Sequence, residues 1–123
     1  MAELKDLSTE VLGVKFPTPV LLSSSPVSNT AEMIGRAFDR GFGGVAYKTL
    51  GFDKTKIIHP SPRMAKYNYG NKKLIGLQNV EHITDRPLKD NLQDIKYLKK
   101  HWPKHAVIAS IMGFSEQEWS ELA

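Results

Sequence analysis

An α/β fold built on a parallel sheet is the class this sequence predicts, and three observations predict it. Strand-like and helix-like segments alternate along the chain. The principal strand-like segments are short apolar runs without a polar face, as strands covered by helices should be. The helix-like segments carry apolar residues at three-to-four spacing and stop at glycine or proline. The order gives about three βα units preceded by a short β-hairpin.

The elements follow in turn. "LSTEVLGVKFPTP" reads as two short strands turning at Gly13, with Pro17 and Pro19 stopping the second. "VLLSSS", from Val20 to Ser25, is an apolar run dissolving into serines, a buried strand whose far end turns polar. "NTAEMIGRAFDRGFGG" predicts a helix, with Asn29 as N-cap, Glu32 in capping-box position and Gly41 as terminator. Met33, Ile34, Ala37 and Phe38 mark its apolar face, and Gly35 weakens it. "GVAYKT" is the next strand. Residues 50–78 show little helical or strand period and read as a long loop, which in a compact domain is usually functional or disordered. "RPLKDNLQDIKYLKKHW" predicts a second helix, with Pro87 in its first turn, Leu88, Leu92, Ile95 and Leu98 on one face, and Pro103 ending it. "AVIASIMG" is the third strand. "SEQEWSELA" opens a third helix, with Ser115 and Glu118 as its capping box.

Composition narrows the function classes. The chain has 123 residues, room for one domain, and is 41% hydrophobic and 24% charged. Its net charge of +4 is mildly basic, and the excess gathers between Lys54 and Lys73 and around Lys96, Lys99 and Lys100. No recognition motif accompanies that charge, so nucleic-acid binding is not expected. The sequence has no cysteine, hence no disulfide, thiol nucleophile or Fe–S ligand of its own. No apolar run reaches membrane-spanning length and "MAELKDLSTE" is not a signal peptide, so the expectation is no membrane and a cytoplasmic location. The histidines at 59, 82, 101 and 105 lack metal-ligand spacing and read as structural or surface groups. Trp102 and Trp119 read as helix-packing residues.

Chemistry in a barrel of this class gathers where strands end. Those positions hold Ser23-Ser24-Ser25, Lys48-Thr49 and Ser110-Ile111-Met112-Gly113. A lysine closing an apolar strand is costly to bury unless something pairs with it. It either reaches water as a solvated strand end or points into a site; a Schiff-base lysine is a further alternative. The serines also suit a plain strand-ending turn. A full (β/α)₈ barrel takes about 250 residues, and a sheet of half that size leaves an open edge. The expectation is therefore a fragment or one piece of a larger assembly. "GLQNVEHI" brings Gln, Asn and Glu together ahead of the second helix; this is either a polar turn or a substrate-reading loop, since Asn offers both a donor and an acceptor.

These residues also carry a resemblance. "LSSSPVSNTAEMI", "RAFDRGFGGVAYKT", "SPRM", "GLQNVEHITDRPLKDNLQDIKYLKK" and "IASIMG", running in register from about Leu7 to the last residue, resemble the N-terminal part of the flavin domain of the dihydropyrimidine dehydrogenases, which is similar to the class 1 dihydroorotate dehydrogenases. The resemblance implies an FMN-binding (β/α)₈ TIM barrel, with residues 1–123 its N-terminal part and no second domain. It implies that Ser23, Ser24, Lys48 and Thr49 contact the flavin, and that Lys48, Asn79 and Glu81 meet a pyrimidine. It assigns no catalytic acid to this chain: the family's acid loop, further substrate asparagines, second flavin lysine and phosphate-binding loops match nothing here. The activity implied is reduction of the 5,6-double bond of uracil or thymine with electrons from NAD(P)H. These would pass through an electron-transfer subunit carrying NAD(P)H, FAD and Fe–S sites, in a homo-oligomer or larger assembly. Dihydroorotate dehydrogenase and a catalytically inert half-barrel are the alternatives. Glu81 beside the ring is expected to disfavour a carboxylated pyrimidine through like charge.

Overall fold

A computed structural model describes residues 5–52, 57–71 and 73–123. Lys54, Lys56 and Lys72 of the basic stretch lie outside the described residues. The first two strands, β1 (Thr9–Val11) and β2 (Val14–Phe16), form the expected antiparallel hairpin, turning at Leu12 and Gly13. The main sheet follows. The strands β3 (Leu21–Leu22), β4 (Gly44–Leu50) and β7 (Ala106–Ile111) are all parallel, in the order β3-β4-β7, so β4 is central. The helices α1 (Ala31–Phe38) and α2 (Leu88–His101) cross over between them, and α3 (Glu116–Leu122) comes last. The architecture is mixed α/β on a parallel sheet.

The core lies between the sheet and α1 and α2. Val45, Tyr47 and Leu50 of β4 meet Ile34 and Phe38 of α1 and Leu98 of α2, with Ile95, Leu88 and Trp102 around them. Each such side chain withdrawn from water stabilises the fold by about 1.5–3 kcal/mol. Gly35 is less a weakness than a seat: a Cβ there would lie 2.6 Å from the Trp102 ring. Trp102 therefore packs across α1, and its indole N–H donates to Asp39 at 2.9 Å. Trp119, by contrast, stays half-exposed on α3.

Several expectations are corrected. The N-cap of α1 is Thr30, whose hydroxyl accepts from the Met33 N–H; Asn29 instead ends a short 3-10 turn at Pro26–Ser28. Met33 is exposed, because the buried stripe of α1 runs through Ala31, Ile34, Gly35 and Phe38. On α2, Leu92 is 45% exposed, and the buried place one residue earlier belongs to Asn91, recruited by polar partners described below. Ser115 caps α3 as expected, but Glu118 answers to the Phe114 N–H.

Part of the long loop read over 50–78 is a second antiparallel hairpin, β5 (Met64–Tyr69) with β6 (Lys73–Asn79), closing near Gly70. Apolar side chains point out on both of its faces, so no alternating pattern betrayed the strands. Finally, β7 is not covered on both faces. It is an outer strand, and Ile108, on the side of the sheet away from the helices, is 47% exposed.

Candidate functional site

The site begins with an irregularity in β4. Tyr47 pairs with Ala109 and Leu50 with Ile111, so β4 spends one residue more than β7 over the same stretch. A bulge of this kind bends the strand and re-aims its side chains. Val45, Tyr47 and Leu50 all reach the helix-side core. Lys48 and Thr49, between the last two, are turned elsewhere. The Thr49 and Ser110 hydroxyls meet at 2.8 Å across the ends of β4 and β7.

Lys48 is neither solvated nor free. It is 3% exposed, its ammonium donates to the His82 carbonyl at 3.2 Å, and it stands 3.6 Å from the Glu81 carboxylate. A buried ammonium needs both a countercharge and hydrogen bonds, and the segment after β6 supplies them. The loop from Glu81 to Asp85 is itself pinned to the strand end, since the Thr84 N–H donates to the Thr49 carbonyl at 2.9 Å.

The Glu81 side chain, 5% exposed, lies between two cations. Its second oxygen accepts from Arg63 at 2.6 Å. The other arm of that guanidinium donates to Asp85 at 3.0 Å, and this bond holds the Asp85 carboxyl below its ordinary value. The carboxylate thus carries its own countercharges, Lys48 on one oxygen and Arg63 on the other. Arg63 stands in "SPRM", but its partner is 18 positions away, so nothing local in the sequence announced the pair.

The other candidate residues are arranged around this group. The side-chain oxygen of Asn79 accepts from the Glu81 N–H at 3.0 Å, which fixes the turn and leaves the amide nitrogen on an exposed side chain. Ser23 and Ser24 are exposed just beyond β3, while Ser25 and Ser28 exchange hydrogen bonds across the 3-10 turn. A cleft of about 210 Å³, lined by Ile57, Ile58, His82, Met112 and Phe114, opens at the same end of the sheet. The larger cavity, about 560 Å³, lies at the opposite end against Phe16, Pro103 and Ala106, away from these polar groups.

A second polar cluster, on the helix side, went unread in the sequence. The Tyr47 hydroxyl sits 3.1 Å from Asn91 and 3.2 Å from Asp94. Arg86 bonds to Asp94 and donates to the Asn29 carbonyl at 2.8 Å. Burial and the neighbouring Asp94 push the Tyr47 phenol well above its ordinary value, so it is held as a neutral hydroxyl. At Asp94 burial pulls upward, yet the bonds from Arg86 and the Ala31 N–H win and hold the carboxyl below its ordinary value. This cluster locks α1 and α2 to β4 beneath the strand end. Burial likewise lowers His105, which stacks on Phe38.

No protein-family model matches the chain. Over 119 residues, 97% of its length, it is 47% identical to the NAD-dependent dihydropyrimidine dehydrogenase subunit PreA of Escherichia coli strain K12. It is 39% identical over 123 residues to the chloroplastic dihydropyrimidine dehydrogenase (NADP(+)) of Arabidopsis thaliana, and 31% identical over 117 residues to the catalytic subunit of dihydroorotate dehydrogenase B (NAD(+)) of Pyrococcus abyssi. The chain spans 28%, 29% and 36% of the lengths of these curated relatives. Nearly all of it is thus similar to a part of the dihydropyrimidine dehydrogenases, with the dihydroorotate dehydrogenases more distant.

Proposed function

We propose that this homologue of part of the dihydropyrimidine dehydrogenases forms, over residues 1–123, the N-terminal part of an FMN-binding (β/α)₈ barrel in an enzyme that reduces the 5,6-double bond of uracil or thymine. The observation that carries the reading is the buried Lys48–Glu81 pair at the polar end of the parallel sheet. A cation and a carboxylate held together where strands end suit the recognition of a small polar ring far better than they suit packing.

The residues at hand fit a flavin. Ser23 and Ser24 offer exposed hydroxyls after β3, Thr49 and Ser110 a hydroxyl pair after β4 and β7, and Lys48 a cation between them. Such donors match the carbonyl and N–H rim of an isoalloxazine ring. When bound, the flavin supplies hydride transfer to or from the pyrimidine. Lys48 orients the ring edge and favours negative charge near it. The Asn79 amide nitrogen donates to a ring carbonyl, and Glu81 accepts from a ring N–H. None of the chain's own residues is assigned the proton transfer. The names of the relatives support NAD(P)H as the electron source and further subunits as partners, in a homo-oligomer or larger assembly.

The test is to express with flavin the complete enzyme proposed here, in which residues 1–123 are the N-terminal part, and to add dihydrouracil anaerobically. Retention of FMN and bleaching of its visible absorption are the expected result. A protein that retains no FMN would overturn the reading. Bleaching by dihydroorotate but not by dihydrouracil would replace it with the dihydroorotate dehydrogenase alternative, which the Pyrococcus abyssi relative keeps open.

A further inference from the structure

Arg63 faces the site from a different segment than the residues assigned above, and it makes the shortest contact with Glu81. Among the described residues Lys48, Glu81, Arg63 and Asp85 form a chain of alternating charge there. Lys48 and Glu81 are buried, while Arg63 and Asp85 are 41% and 42% exposed at the rim. The guanidinium spans both carboxylates with its two arms, at 2.6 and 3.0 Å, a fork that lysine cannot reproduce.

We propose that Arg63 sets the charge selectivity of the site, by masking the Glu81 carboxylate from whatever ring lies beside it. The inference rests on the pyrimidine reading of Glu81. With Arg63 in place the Glu81 carboxylate is flanked by two cations, which offset its charge towards a neighbouring ring. An anionic ring is then repelled less than it would be by a bare carboxylate. Removing Arg63 leaves Glu81 with Lys48 as its one described countercharge, and the added negative potential repels an anionic ring and spares a neutral one. Removing Glu81 takes the carboxylate from between Lys48 and Arg63 and does the opposite. Selectivity is a difference of affinities, so the two substitutions move it in opposite directions. A merely structural role for Arg63 predicts no such opposition.

The experiment measures dissociation constants for uracil and for orotate by calorimetry in the flavin-loaded protein. Its readout is the orotate-to-uracil ratio in wild type, Arg63→Gln and Glu81→Gln. The expected result is a ratio about tenfold above wild type for Arg63→Gln and about tenfold below for Glu81→Gln. These changes are smaller than a fully buried charge would give, because the Arg63 side of the network is wet. Asp85→Asn at the exposed rim lowers the ratio about threefold, and it serves as the reading should Arg63→Gln fail to fold. A ratio unchanged in Arg63→Gln, or shifted the same way as in Glu81→Gln, overturns the proposal; so does an unchanged ratio in Asp85→Asn. Wild type that binds uracil while these ratios stay flat refutes only the role of Arg63. Wild type that binds neither ring brings down the pyrimidine reading and this inference with it.

Discussion

Lys48 was legible because its cost was legible: an ammonium at the end of an apolar run demands an explanation. The answer was not, because Glu81 and Arg63 come from segments that only the fold brings near β4. Arg63 also explains why Lys48→Ala should be tolerated as a fold. Truncation leaves Glu81 with a second cation at 2.6 Å, so the usual penalty of about 3–5 kcal/mol for orphaning a buried charge is largely avoided. The expected outcome in the flavin-loaded protein is a melting temperature lower by a few degrees, with flavin reduction by dihydrouracil slower by about a hundredfold or more. An unchanged reduction rate would make Lys48 a purely structural ion. Asp94 gives a prediction with a defined pH window. Its folded carboxyl titrates below the ordinary 3.8, so its contribution to stability is complete above that value and is lost as pH falls through the lower, folded one. Asp94→Asn should therefore melt below wild type at pH 7, and the gap should narrow as pH drops from 4 towards 2. A gap that stays constant would show that ionised Asp94 contributes nothing.

The helices with a buried apolar face were read correctly, and the β5–β6 hairpin, which has none, was not. The helices α1 and α2 announced themselves through Ile34, Phe38, Ile95 and Leu98, all of which reach the core or its margin. The β5–β6 hairpin went unread because both its faces are wet and apolar residues such as Tyr69, Ile75 and Leu77 stand out from it. Asn91 was unreadable for the opposite reason, being a polar residue buried by a hydrogen bond to Tyr47 and others to the Arg86 and Pro87 carbonyls. Gly35 shows how propensity misleads when tertiary packing intervenes. By propensity alone, Gly35→Ala in α1 should add about 1 kcal/mol. The new Cβ would meet the rigid Trp102 ring at 2.6 Å, closer than real contacts allow, and overpacking of that kind costs about 1–3 kcal/mol. The expected net result is destabilisation in urea unfolding, partly relieved in the double variant Gly35→Ala, Trp102→Leu. Stabilisation by the single variant would mean that Trp102 is not seated on α1.

For the molecule as a whole, the strand order β3-β4-β7 and the two faces of the sheet matter most. One face is closed by α1 and α2; the other exposes Ile108 and carries Lys48, Thr49 and Ser110 towards one end. A parallel sheet normally has both faces covered, because its strands are apolar on both sides. In a closed barrel the second face is covered by the sheet curling upon itself and filling its centre with side chains. The positions at the strand ends were thus readable from sequence alone, whereas closure of the sheet into a barrel remains part of the proposal. The consequence is a prediction about the 123-residue chain by itself. Its described residues bring hydroxyls, a cation and a carboxylate to one end of the sheet, but the family's acid loop matches nothing in its sequence. On the face of the sheet away from α1 and α2, Ile108 stands half-exposed, and water near a site weakens the electrostatic contacts on which such chemistry depends. The purified chain, supplied with FMN, should therefore oxidise dihydrouracil at a rate indistinguishable from free FMN. Turnover by the chain at around 1 s⁻¹, the low end of ordinary enzymes, would mean that three parallel strands and their loops are a sufficient site, and the barrel proposal would have to be abandoned.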